Sequence, residues 1–301
     1  MNESSLSSTQ KQTENTFDFK WKKRETYESQ AVQQEWKRWL FEKYFDGENQ
    51  KLEKLLNSRV GRKSILDAGC GSGGSGLLLF GEYFDKHDYL GVDVSDAVSV
   101  GQQRFKELGI SGKFIQSDLN TIPPEYGPFD IIFSEGVLHH TDSVENAIYK
   151  LSKRLKVDGR FLFYVYSKKA PIREYTDDLI RDYLRPLSNE DAWKALEPLS
   201  KLGKTLGDLN IEVEVEEDLP YLQIKKGTYN LQRLFYYKIC KAYYRPDYSL
   251  DEMNHINFDW FRPLNCHRHT PDEVELFCKR AGLLIERLHV EESGITVIAR
   301  K

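Results

Sequence analysis

Along residues 61–166 the spacing of apolar positions alternates between two periods. Ser64-Ile65-Leu66-Asp67-Ala68 is a short apolar run, followed at once by glycines and then by a helical stretch from Gly76 to Phe84. Tyr89 to Asp93, Lys113 to Asp118, Phe129 to Ser134 and Arg160 to Tyr166 repeat the strand pattern, and Val98 to Leu108 and Val144 to Leu155 repeat the helical one. Strands alternating with helices at this spacing predict a doubly wound, mostly parallel sheet with ligands gathered at the carboxyl ends of its strands.

Upstream, Val32, Trp36, Trp39, Leu40 and Tyr44, then Leu52, Leu55 and Leu56, fall at helical spacings. They predict two helices broken at Asp46-Gly47. The first sixteen residues are polar and lack the apolar stretch of a secretory signal, so they read as a disordered tail. Phe17-Asp18-Phe19-Lys20-Trp21 is an aromatic cluster that either covers a ligand or packs on the domain.

After Ser167 the alternation stops for roughly a hundred residues, far beyond a normal connection. This insertion carries helix-like runs at Tyr175 to Leu184, Asp191 to Leu199 and Tyr229 to Tyr244, with a charged β-like run at Ile211 to Val215. Regular pattern resumes at Thr270-Pro271-Asp272-Glu273, a helix start with a cap, a first-position proline and an acid three residues after the cap. A helix over Asp272 to Ala281 and strands at Leu284 to Val290 and Ile295 to Arg300 then close the sheet. The expected division is 1–60 (tail and helical cover), 61–167 (core), 168–265 (inserted acceptor-binding or lid region) and 266–301 (closing helix and hairpin).

At 301 residues, with 40% hydrophobic and 30% charged positions, the chain can bury a substantial core. Lys and Arg number 43 against 47 acids, so no global positive charge favours nucleic acid. No apolar run approaches the roughly 20 residues of a membrane span. Cys70, Cys240, Cys266 and Cys278 show no CxxC pair. These features point to a cytoplasmic protein with free thiols, acting on a small molecule, with its oligomeric state open.

The strongest chemical signal is Asp67-Ala68-Gly69-Cys70-Gly71-Ser72-Gly73-Gly74, between a strand and a helix. Glycines there let backbone approach a ligand closely, and the helix start offers unpaired N–H groups. Gly69, Gly71 and Gly74 also satisfy the dinucleotide fingerprint, so an NAD-dependent oxidoreductase is the alternative enzyme class. A catalytically silent donor-binding or scaffold protein is the third reading. Asp67 suits a cationic amino group and repels a pyrophosphate; Asp93 is placed to accept from ribose hydroxyls and Asp118 from an adenine amine.

Together these residues resemble the class I, seven-stranded Rossmann-like, S-adenosylmethionine-dependent methyltransferases of the small-molecule type. The resemblance spans Ile65 to Tyr166 and the last thirty or so residues. It implies S-adenosylmethionine as cofactor, held by Asp67, Gly69, Gly71, Gly73, Asp93, Asp118, Leu119 and Ser134. It also places Ser134 to Thr141 beside the sulfonium and the acceptor, with His140 as candidate base and His139 as the lesser one. Trp260, Arg262, His267 and His269 are the expected substrate-binding residues. Cys266, His267 and His269 lack the paired spacing of a zinc site, so no metal is expected. The predicted reaction is methyl transfer to a hydroxyl of a small polar acceptor, such as a saccharide or secondary-metabolite intermediate.

Overall fold

A computed structural model describes residues 6–57 and 61–301. In chain order the elements are α1 (Ser8–Trp21), α2 (Gln30–Phe45), α3 (Asn49–Leu56), β1 (Ser64–Ala68), α4 (Gly74–Phe80), β2 (Asp88–Asp93), α5 (Ala97–Glu107), β3 (Lys113–Gln116), β4 (Phe129–Ser134), α6 (Val144–Lys153) and β5 (Leu155–Tyr166). There follow α7 (Pro171–Leu184), α8 (Asn189–Asp208), β6 (Glu212–Val215), β7 (Gly227–Asn230), α9 (Leu231–Lys238), α10 (Leu250–Phe261), α11 (Pro271–Arg280), β8 (Leu284–Val290) and β9 (Gly294–Arg300). They divide into two compact units: residues up to Lys22 with Gln33–Ser167 and Asn265–Lys301, and Lys23–Val32 with Lys168–Leu264.

The first unit is built on a seven-stranded sheet in the order β3-β2-β1-β4-β5-β9-β8. β1 pairs in parallel with β2 and β4, β2 with β3, and β4 with β5, whereas β9 runs antiparallel between β5 and β8. The inner strands are apolar on both faces because both are covered. On one face Leu66, Ile132 and Phe161 pack with Val144, Ile148 and Leu151 of α6 and Val274 and Cys278 of α11. On the other, Ile65, Phe133 and Leu162 pack with Leu40 and Tyr44 of α2, Leu52 and Leu56 of α3, and Leu79 and Phe80 of α4. The strand order reverses between β1 and β4, so the loops after those two strands flank the crevice in which such sheets bind ligands.

One correction concerns the N-terminus. Residues 8–16, expected in a disordered tail, are the first part of α1; residues 1–5 lie outside the described ones. Ser7 caps the helix by accepting the Gln10 N–H at 3.0 Å. The helix has no apolar stripe to betray it. Its anchors are instead polar loop contacts and the stacking of Trp21 on Trp36, with ring centroids 6.4 Å apart.

The second unit is largely helical, with a small β6-β7 hairpin. It recruits Lys23–Val32, which the sequence reading placed in the cover: Thr26 Oγ1 lies 2.7 Å from His255 Nδ1, and the Lys23 ammonium is 4.7 Å from the Trp193 ring. The helix expected over Tyr229 to Tyr244 is only α9. Its start is set by Asn230, whose side chain accepts the Arg233 N–H, while residues 227–230 pair with β6. Beyond Lys238 side-chain amides engage the backbone, as Gln232 donates to the Ala242 carbonyl and Asn257 accepts the Tyr243 N–H. α10 was not foreseen as a helix; Ser249 and Glu252 form its capping box.

Candidate functional site

The chain after β1 turns through three glycines with left-handed backbone: Gly69 (φ 84°), Gly71 (φ 50°) and Gly73 (φ 74°). A β-carbon at Gly69 would lie 2.2 Å from a methyl of Val137, so the loops after β1 and β4 touch directly through that residue. The amides of Gly69 and Cys70 both donate to the Val92 carbonyl, at 2.7 and 2.9 Å. Arg104 donates to the Ser72 carbonyl at 2.7 Å. Gly73 is the N-cap of α4. These bonds hold the loop in shape without any ligand.

Two acids are built into that frame. Asp93 ends β2 and is buried; its Oδ2 accepts the Gly71 N–H at 2.8 Å and its Oδ1 accepts from the Ser95 amide and hydroxyl, at 2.9 and 2.6 Å. Burial pushes its carboxyl up from the usual range, against these hydrogen bonds. Asp67, near the end of β1, accepts from the Tyr89 hydroxyl at 2.7 Å. Burial raises its carboxyl to about 7, the Tyr89 bond opposing and the nearby Asp93 and Glu135 reinforcing. Asp118 is half-buried just after β3, with Oδ1 accepting from the amide and side chain of Asn120 at 2.6 and 2.9 Å. Leu119 beside it is part of the core.

The donor set discriminates between the two cofactors the glycine spacing allows. A pyrophosphate wants backbone N–H groups and no carboxylate nearby, but the Gly71 N–H is already taken by Asp93 and the loop is bracketed by Asp67 and Asp93. A ligand carrying an ammonium, a sulfonium and ribose hydroxyls meets acceptors instead. The residues present therefore fit S-adenosylmethionine, since the carboxylates of Asp67, Asp93 and Asp118 put acceptors rather than cations at this end of the sheet.

After β4, the Ser134 hydroxyl donates to the Ala68 carbonyl at 2.8 Å and ties the ends of β4 and β1 together. Glu135 bonds Lys43 and accepts from the Tyr44 hydroxyl at 2.7 Å. Lys43 is fully buried, its ammonium 3.3 Å from the Trp39 ring and 4.0 Å from the Tyr164 ring. Desolvation lowers its amine to about 8, with Glu135 opposing. Sequence reasoning missed this pair, since nothing local relates a cover helix to a residue 92 positions away.

A short 3-10 turn over Leu138–His140 carries both candidate bases, and both rings are buried. His139 stacks on Tyr166 with centroids 3.5 Å apart. His140 Nδ1 lies 2.7 Å from the Asn265 carbonyl oxygen. A carbonyl only accepts, so Nδ1 carries the proton and Nε2 of the neutral ring carries the lone pair. The 266–269 passage is docked by its backbone: the His267 amide donates to the His139 carbonyl and the His269 amide to the Tyr166 carbonyl, both at 2.9 Å. The His269 ring lies 3.5 Å from Glu273 and packs edge-on to Phe277.

Trp260 and Arg262 belong to the second unit, where both are buried. The Trp260 indole donates to Asp177 at 2.8 Å, and Arg262 donates to Asn189 and to the Leu184 and Leu187 carbonyls. Their polar atoms thus have partners within that unit, a structural role beside the expected substrate-binding one.

A family model described as a methyltransferase domain matches residues 65–159, which hold the glycine loop, the three acids and both histidines. Residues 65–159 are a methyltransferase domain, and S-adenosylmethionine is its cofactor. The chain resembles the malonyl-[acyl-carrier protein] O-methyltransferase of Legionella pneumophila, 29% identical over 115 residues, which is 37% of this chain and 39% of that protein. It also resembles an uncharacterized methyltransferase of Bacillus subtilis, 33% identical over 111 residues, 36% of this chain and 43% of that one. The alignments thus span less than half the length of these curated relatives. Among solved structures, magnesium protoporphyrin IX methyltransferase from Synechocystis superposes with a TM-score of 0.52 over the whole of both chains at 13% identity, a likeness of fold. No described helix of the methyltransferase domain, or of the second unit, is long and apolar enough to cross a membrane.

Proposed function

We propose that the protein methylates a hydroxyl of a small polar acceptor, such as a saccharide or secondary-metabolite intermediate, with His140 as general base. The observation that carries this reading is the bond from His140 Nδ1–H to the Asn265 carbonyl, which leaves the basic nitrogen of the same ring as Nε2. S-adenosylmethionine, when bound, supplies an electrophilic methyl carbon and leaves as a neutral thioether. His140 Nε2 takes the hydroxyl proton as the oxygen forms its bond to that carbon, so the resulting imidazolium balances the proton released. Asp93 and the glycine loop it anchors orient the nucleoside, and burial of the turn around His139 and His140 excludes water. The O-methylation named for the Legionella relative supports an oxygen acceptor. His267 and His269, docked beside the histidine turn by their own backbone, are the substrate-binding candidates on this unit. Incubating the protein with methyl-labelled donor and cell extract, then identifying labelled products by mass spectrometry, tests the reading. A labelled methyl ether is expected; label confined to a carboxyl, nitrogen or carbon would remove the base role, and no transfer at all would remove the activity.

A further inference from the structure

Asp142 follows the turn that carries His139 and His140, and one oxygen of its carboxylate gathers three donors from two distant parts of the chain. The Asn265 side-chain amide donates to Oδ1 at 2.8 Å, Ser7 Oγ at 2.9 Å and Thr9 Oγ1 at 3.0 Å. Burial works against the charge, but these three bonds and the nearby His267 together outweigh it and hold the carboxyl below its ordinary range. Ser7 and Thr9 stand at the start of α1. The other end of that helix is fastened separately: Asp18 accepts the Asp96 N–H at 2.6 Å, and the Trp21 indole lies over Gly71.

Asn265 reaches Asp142 with its side chain while its main chain reaches the imidazole, since its carbonyl oxygen is the 2.7 Å partner of His140 Nδ1. It lies in the irregular stretch between α10 and α11, where no helix or sheet ladder sets the direction of that carbonyl. Two residues on, the His267 amide donates to the His139 carbonyl at 2.9 Å. On the other side, the Thr141 amide and hydroxyl both donate to the Leu138 carbonyl, at 3.1 and 2.7 Å, which fixes Asp142 relative to the histidine turn. The rings of Phe17, His139 and Tyr166 pack around the His140 imidazole, with centroids 5.1, 4.3 and 5.6 Å away. Ring packing holds the imidazole plane, and the carbonyl acceptor decides which nitrogen keeps the proton.

We propose, on the reading of His140 as the base, that Asp142 is its positioning residue: through the Asn265 side chain it aims the Asn265 carbonyl at Nδ1, keeping the proton there and the lone pair on Nε2. A charged acceptor suits this task, because a bond from an amide to a carboxylate is stronger than one to a neutral oxygen. Ser7 and Thr9 limit the rotation of the carboxylate and hold Oδ1 toward Asn265. The seating of α1 and the orientation of the base therefore share one residue. Asp142 is itself exposed, so its replacement leaves the core intact.

Long-range nitrogen–proton correlation spectra of the full chain with isotope-labelled histidine read the tautomer directly, at about pH 8, above the ordinary imidazole range. The His140 signals are assigned by their loss in His140→Gln. The wild-type ring is expected to carry its proton on Nδ1. In Asp142→Ala and in Asn265→Ala, which keeps the carbonyl but frees it from Asp142, the ratio of the Nδ1–H to the Nε2–H form should fall about tenfold, the scale of one hydrogen bond. Asp142→Asn retains an acceptor oxygen at that position, and there the ratio should fall less than about threefold. A wild-type proton on Nε2, an unchanged ratio in a folded alanine variant, or an equal fall in Asp142→Asn overturns the proposal; if one alanine variant does not fold, the other decides. No substrate takes part in these spectra, so they stand apart from the base reading, which the turnover of His140→Ala tests. A shifted tautomer beside a fully active His140→Ala enzyme would overturn the base reading, and with it the catalytic role of Asp142.

Discussion

His140 Nδ1 and the main-chain oxygen of Asn265 are 2.7 Å apart, although 125 residues separate them in the chain. The contact orients the ring and fixes its tautomer, because a carbonyl oxygen can only accept and so holds the proton on Nδ1. His140→Ala is therefore expected to slow methylation by about 10² to 10⁴-fold while donor affinity is kept. Turnover rates together with calorimetric donor binding check this. The wild-type rate should fall as the imidazole takes up a proton, and that limb should vanish in the variant; full activity with an unchanged pH profile excludes the base role.

Gly71→Ala should unseat Trp21. The new methyl would lie 2.7 Å from the indole, on a residue with φ of 50°. A destabilisation of about 1 to 3 kcal/mol is expected in denaturant melts. Trp21→Ala in the same background should add less than it does alone, because the clash is then already relieved. Additive losses would mean that the two residues do not act on each other.

Asp67 makes donor binding and stability depend on pH in opposite directions. Its folded value of about 7 lies above the unfolded carboxyl value, so its contribution to stability is fully present below about pH 4 and is lost as pH rises through about 7. Wild type should accordingly gain stability relative to Asp67→Asn as pH is lowered from 8 to 5. Donor binding that needs the carboxylate should instead strengthen about tenfold between pH 6 and pH 8, since the ionised fraction rises by about that factor. Calorimetry at the two pH values reads the effect, and a flat profile removes Asp67 from direct contact with the donor.

The Lys43–Glu135 pair is buried on both sides, with the side chains 1% and 5% exposed. Glu135→Ala leaves an ammonium among aromatic rings and should lower stability by about 3 to 5 kcal/mol. Replacing both partners, as Lys43→Met with Glu135→Leu, should recover most of that loss. Thermal melts of the single and double variants decide; a double variant no better than the single would show that the pair's neighbours, Tyr44 among them, need the charge.

The sequence by itself determined the sheet and the donor loop, and the reason is that both are local. Strand and helix periods are written within single elements, and the closing hairpin was legible down to its turn near Gly294. Asp67, the three glycines and Asp93 sit at strand ends whose positions follow from that pattern. Thr270 and Glu273 likewise announced α11 through a capping box that spans four residues. What only the tertiary structure decided involves partners far apart in the chain. α1 has no apolar stripe, so its helical state and its position against Gly71 depend on Asp96, Trp36 and Asp142, none of which its own sequence encodes. The tautomer of His140 depends on Asn265, and the burial of Lys43 on Glu135. Trp260 and Arg262 read as pocket residues because an aromatic beside a guanidinium suits one. Asp177, Asn189 and two distant carbonyls engage them inside their own unit, since a buried polar group binds whatever partner packing brings to it.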